Sequence, residues 1–71
     1  MKLHYYPETD SLYIELQPGA GVEAREVATG LVADFDAAGH VVGLDIDQAS
    51  KHLDLSTLET TGLPPAVSKI A

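Results

Sequence analysis

Turn-forming clusters recur roughly every 8–12 residues through the first two-thirds of this chain, which leaves only short segments between them. Those segments are rich in β-branched and aromatic residues, which favour strands. In the clearest of them, Leu12, Ile14 and Leu16 alternate with more polar neighbours. An alternation of period two is typical of a strand with one buried face. The pattern therefore predicts a sheet of short strands.

We predict an α+β domain that is mostly β: an antiparallel meander of four to five short strands followed by a short C-terminal helix. The predicted strands are Lys2–Tyr6, Leu12–Leu16, Val22–Val27, Leu31–Asp36 and Val41–Asp47. The third of these is highly charged, which suits an edge strand because charge discourages pairing with foreign strands. The predicted helix is Gln48–Leu53, with Asp47 as its N-cap.

The hairpin between the last two strands has two alternative registers. A four-residue loop over residues 37–40 places Phe35 opposite Val42 and keeps the apolar side chains of both strands on one face. A three-residue loop with Gly39 in the left-handed region is a common hairpin turn, but it breaks that match unless a bulge restores the phase. We favour the four-residue loop, because it preserves the apolar pattern.

At 71 residues, the chain has room for one small domain. We predict that residues 1–59 form this domain and that residues 60–71 are a loosely ordered tail, since Gly62 and Pro64 stop any helix. The sequence contains no cysteine, so disulfides and thiolate metal sites cannot strengthen a thin core. Small domains of this kind usually need very good packing or a partner subunit.

One side of the predicted sheet is apolar. We call it the apolar face, and its residues are Leu3, Tyr5, Leu12, Ile14, Leu16, Leu31, Ala33, Phe35, Val42, Leu44 and Ile46. One short helix cannot cover this area, so we predict that the chain self-associates, most simply as a homodimer. The predicted interface residues are Tyr5, Leu12, Ile14, Leu16, Phe35, Val42, Leu44 and Ile46.

The chain is strongly acidic, with 4 Lys and Arg against 11 Asp and Glu and a formal net charge of −7. This charge argues against nucleic acid and against anionic membrane surfaces as partners, since both are bound by clustered Lys and Arg. It favours a basic protein as a partner. The sequence shows neither a membrane-spanning run nor a signal peptide, so we expect a cytoplasmic protein.

The opposite side of the predicted sheet, which we call the acidic face, carries Asp34, Asp45 and Asp47. These carboxylates are weak candidates for a metal site, because residues two apart on a strand lie about 7 Å from each other and no calcium-loop motif surrounds them. We predict no cofactor. No nucleophile or base with an orienting partner is recognisable, so we predict no catalytic residues and no enzymatic activity.

Five segments in order resemble one family: Tyr6–Leu16, Glu26–Val27, Gly30–Asp36, Gly39–Ile46 and Ala49–Lys51. They are similar to the domain-of-unknown-function family 2283, and the resemblance covers roughly residues 2–53. One departure is that Tyr6 runs directly into Pro7, where the family has an intervening Asp. The resemblance implies a small antiparallel sheet with a short helix and no established activity. It also implies an antitoxin or accessory role, because some members are encoded beside toxin-like proteins.

The sequence thus predicts a non-enzymatic interaction module that associates with itself and, in an antitoxin-like or accessory role, with a basic protein. The alternative is a small metal- or ligand-binding protein that uses Asp34, Asp45 and Asp47.

Overall fold

Five strands form one antiparallel sheet in the computed structural model, which describes residues 1–64. The strands and the helix are β1 (Lys2–Tyr6), β2 (Ser11–Glu15), β3 (Glu23–Ala28), β4 (Leu31–Phe35), β5 (Val41–Ile46) and α1 (Ala49–His52). The predicted fold class, a mostly β chain with a short helix after the strands, is confirmed.

The order of strands across the sheet is β1-β2-β5-β4-β3. Strands β3, β4 and β5 follow one another as a meander, and β5 also pairs with β2 of the first hairpin. Strand β5 is therefore central, which explains why its Val42 and Gly43 are buried. Strand β3 lies at an edge, as its charge predicts.

The hairpin between β4 and β5 corrects our predicted register. Phe35 pairs with Val41, so the predicted Phe35–Val42 pair is wrong. The loop consists of residues 37–39, and Gly39 has a φ of +87°, in the left-handed region. A register shift next to Phe35 restores the phase, so the apolar residues farther along both strands still share one face. The turn geometry and the apolar pattern are both satisfied, at the cost of one bulge.

The helix is shorter than predicted and begins differently. It covers Ala49–His52, and its N-cap is Gln48, which adopts a left-handed conformation with φ of +49°. The prediction of Asp47 as the N-cap is therefore wrong. The Asp47 N–H instead donates to the Gly30 carbonyl oxygen at 2.8 Å, which ties the end of β5 to the turn before β4.

Residues 60–64 are exposed and belong to neither a helix nor a strand. The remainder of the predicted tail, residues 65–71, lies outside the described residues.

Candidate functional site

The apolar face carries large side chains that the single chain does not cover. Its half-buried members are Ile14, Leu16, Leu31, Phe35, Leu44 and Ile46. The buried hydrophobic residues among those described are Leu12, Ala33, Val42 and Ala49. Two of these four are alanines, so most of the large apolar side chains lie on the surface of the sheet rather than inside a core. The apolar face therefore presents partly exposed large side chains to solvent.

Two of the predicted interface residues belong to the interior of the chain itself. Leu12 is 7% exposed and Val42 is 3% exposed. Tyr5, in contrast, is 45% exposed on edge strand β1. The accessible part of the apolar face thus consists of the half-buried residues above together with Leu3 and Tyr5, each 45% exposed.

A groove lies on the apolar face beside β1. It measures about 760 Å³ and lies between that strand and the segment that follows α1. Its lining residues are Leu3, Tyr5, Leu12, Leu53, Asp54, Leu55, Ser56, Thr57 and Leu58. The segment after α1 thus reaches the β1 side of the apolar face and leaves a gap beneath it.

At the other end of the apolar face, Arg25 of β3 covers Phe35. The guanidinium carbon lies 4.0 Å from the centre of the Phe35 ring, a cation–π geometry. The Arg25 Nε atom also lies 3.5 Å from the Glu23 carboxylate.

The acidic face carries Asp34 and Asp45 on its strands, and Asp47, which follows β5, lines a depression together with Asp45 and Glu26. Strand pairing places Asp34 opposite Gly43 and Asp45 opposite Val32, which confirms that these aspartates share the side away from the apolar face. The same pairing adds Glu15 and Glu26 to the acidic face.

A tyrosine crosses the acidic face and holds one of its aspartates. Tyr13 extends from β2 over Gly43 of β5, and its hydroxyl donates a hydrogen bond to the Asp34 carboxylate at 3.0 Å. An added Cβ at Gly43 would lie 2.0 Å from the Tyr13 hydroxyl oxygen. Burial, together with the hydrogen bond to Asp34, raises the pKa of Tyr13. The Tyr13 ring thus leaves no room for a side chain at position 43.

The aspartates of the acidic face do not converge. Among residues 1–64, no three His, Asp or Glu side chains are grouped so as to hold a metal ion.

Sequence analysis missed a carboxylate that joins distant parts of the fold. Asp10 accepts a hydrogen bond from the Tyr5 hydroxyl at 2.8 Å and one from the Ser50 hydroxyl at 2.6 Å. The Ser50 N–H donates to the same carboxylate at 3.1 Å, and the Ala49 N–H donates to the Asp10 carbonyl oxygen at 2.8 Å. Asp10 thus fixes the start of α1 from a turn 40 residues earlier.

These hydrogen bonds shift the pKa values of Asp10 and Tyr5. Hydrogen bonds from Ser50 and then from Tyr5 lower the pKa of Asp10 below its usual value of 3.8. The hydrogen bond to Asp10 raises the pKa of Tyr5 above 10.0. The sequence predicted a Ser on the helix, but no sequence pattern links that Ser to a carboxylate 40 residues earlier.

No helix within the described residues is long and apolar enough to cross a membrane.

Comparison with known proteins identifies a family but no activity. Neither the curated proteins nor the solved structures contain a match to this chain. One family model, described as "Protein of unknown function (DUF2283)", matches residues 2–50, which is more than half of the chain. The match spans all five strands and the start of α1. The chain therefore belongs to the DUF2283 family.

Proposed function

We propose that this protein is a non-enzymatic protein-interaction module that self-associates by packing its apolar face against the apolar face of a second copy. The observation that carries the proposal is the set of large side chains on this face that remain half-buried in the single chain, such as Ile14, Leu44 and Ile46. Burying them removes apolar surface from water, which is the main driving force for association.

Face-to-face packing also suits the chemistry of the two sides of the sheet. It brings apolar side chains together as in a β-sandwich, whose two inner faces interdigitate. It leaves the acidic face of each copy in solvent, where its carboxylates need no partner. The opposite arrangement would bring Asp34 and Asp45 of the two copies together and leave the apolar residues in water.

The experiment compares two arginine substitutions that differ in the face they occupy. We expect Leu44→Arg to halve the mass of the assembly in light scattering, because it places a charge within the contact. Val32→Arg is the matched control, since Val32 is also half-buried but lies on the acidic face. Circular dichroism checks that both variants fold. If a folded Leu44→Arg variant keeps the wild-type mass over a hundredfold dilution, the proposal is wrong.

The charge of the other side supports a finer proposal, that the acidic face binds a basic protein in an antitoxin-like or accessory role. Asp45 and Asp47 are exposed there, and Glu15 and Glu26 extend the negative surface across the sheet. Such a surface attracts Lys and Arg on a partner and accelerates the encounter.

The test uses the positively charged proteins encoded by the genes on either side of the gene for this chain. Each is purified, and its affinity for this chain is measured by calorimetry at low and moderate salt. We expect the double variant Asp45→Asn, Asp47→Asn to bind at least about tenfold more weakly than wild type at low salt. A variant that neutralises the same number of charges elsewhere, Asp54→Asn with Glu59→Gln, should bind as wild type does. Equal weakening by both double variants would contradict a specific role for the acidic face.

A further inference from the structure

We propose that the edge of β1 is a second association site, at which two copies pair in antiparallel fashion about a two-fold axis at His4. The two five-stranded sheets then form one continuous sheet. This contact is distinct from the packing of apolar faces proposed above.

The two edges of the sheet differ in how they resist pairing. Strand β3 carries Glu23, Arg25 and Glu26 within six residues, and its ladder contains a register shift between Glu26 and Ala28. Charges and bulges are the devices by which natural sheets block edge-to-edge association. Strand β3 is therefore a protected edge.

Strand β1 is less protected: it carries one charge, Lys2 at its first residue, and its ladder has no bulge. Its sequence, KLHYY, contains neither Asp nor Glu, although each of the other four strands contains at least one. Its register with β2 is regular along all five residues, and all five are exposed. The chain has a net charge of −7, so most contacts between two copies bring carboxylates together. An edge without carboxylates avoids that repulsion.

The alternation of side chains selects the register. Residues that face each other across antiparallel strands lie on the same face of the sheet, so the axis must pass through a residue rather than between two. With the axis at His4, all five residues of β1 find partners. Leu3 then lies opposite Tyr5 of the second copy, and both belong to the apolar face.

The groove beside β1 adds apolar contacts to the backbone hydrogen bonds of the paired strands. It is lined by Leu3 and Tyr5 and by the segment after α1, in which Leu55 is 42% exposed and Leu58 is 74% exposed. Pairing of β1 edges places the grooves of the two copies side by side across the axis. The exposed leucines of each copy then cover the joined stripe of Leu3 and Tyr5 side chains.

The two proposed contacts are compatible. The axis at His4 is perpendicular to the sheet, whereas the axis for packing of apolar faces lies parallel to it. When the two perpendicular two-fold axes intersect, they generate a closed assembly of four chains, a common symmetry among homo-oligomers.

The experiment introduces the same negative charge at either edge. His4→Glu places two carboxylates opposite each other at the axis, so we expect it to halve the mass measured by light scattering. Val27→Glu adds the same charge to the exposed edge strand β3 and should leave the mass unchanged. We expect Leu44→Arg to halve the mass independently, and the combination of His4→Glu with Leu44→Arg to give a folded monomer. If His4→Glu keeps the wild-type mass, the β1 contact is wrong whatever Leu44→Arg does.

The register has its own test, because the chain has no cysteine of its own. Under mild oxidation, we expect His4→Cys to form a covalent dimer, since the axis brings residue 4 of the two copies together. Val27→Cys on β3 should remain a single chain. A His4→Cys variant that cross-links no faster than Val27→Cys overturns the proposed register.

Discussion

Gly43→Ala is expected to destabilise the fold by about 1–3 kcal/mol, the usual range for overpacking a well-packed site. In a domain of this size, each kcal/mol lowers the melting temperature by roughly 4–8 °C. The added Cβ would lie 2.0 Å from the Tyr13 hydroxyl oxygen and 2.5 Å from the ring carbon that carries it. The Tyr13 ring must therefore leave its place over β5 and lose its hydrogen bond to Asp34.

A double-mutant cycle with Tyr13→Thr separates this clash from any intrinsic effect of alanine. Threonine suits a strand but does not reach Gly43, so the clash is absent in that background. There, Gly43→Ala should become neutral or stabilise by up to about 1 kcal/mol, because glycine is unfavourable within a strand. The measurement is thermal unfolding of the four proteins. An equal loss of stability in both backgrounds would show that the Tyr13 ring is not what requires glycine at this position.

Asp10→Gly is expected to detach the start of α1 from the sheet. It removes the carboxylate that accepts hydrogen bonds from Tyr5 and Ser50. It adds no backbone strain, because Asp10 has a φ of +53°, which glycine adopts readily. We expect exchange of the Ser50 amide hydrogen to accelerate by about tenfold or more, as a locally bonded segment opens more often.

Asp10→Asn is the matched control, because asparagine tolerates the left-handed region and keeps one acceptor oxygen. Melting temperatures should fall in the order wild type, Asp10→Asn, Asp10→Gly. If the Ser50 amide of Asp10→Gly exchanges as slowly as that of wild type, Asp10 does not hold the helix.

The Asp10 carboxylate also makes the stability of the fold depend on pH at acidic values. Hydrogen bonds lower the pKa of Asp10 below 3.8 in the folded chain, so its contribution to stability is complete above that pH. The contribution is lost as pH falls through the folded pKa. Asp36 and Asp54 also have lowered pKa values, caused by hydrogen bonds from the His40 N–H and the Ser56 hydroxyl respectively. Asp10→Asn should therefore weaken the acid dependence without abolishing it.

The strands were predictable because their signals are local. Alternation in residues 12–16 and turn clusters around Pro7 and Gly39 define where strands begin and end, and they need no knowledge of distant residues. The apolar and acidic faces follow from the same period of two. Among the strands, the register of the β4–β5 hairpin was predicted wrongly because a bulge at Phe35 satisfies the turn and the apolar pattern together.

The anchoring of α1 was not predictable in this way. Asp47 stands two residues before the first residue of α1 and has a favourable residue type for an N-cap, yet Asp10 supplies the carboxylate. The pairing of β5 with β2 is what places the first hairpin beside the helix. Capping by a residue 40 positions away leaves no pattern in a single sequence.

The sequence by itself determined the fold class, the two chemically different faces and the excess of negative charge. Each depends on residue type and on the period-two geometry of a strand, which any sheet imposes. Tertiary structure alone decided that β5 lies at the centre and that β1, which has no carboxylate, lies at an exposed edge. It also decided that Tyr13 reaches across Gly43 and that Asp10 reaches α1. Those outcomes depend on which strands become neighbours. Strands are joined by backbone hydrogen bonds, and because the backbone groups are nearly the same in every residue, the sequence of a strand does not specify its neighbour.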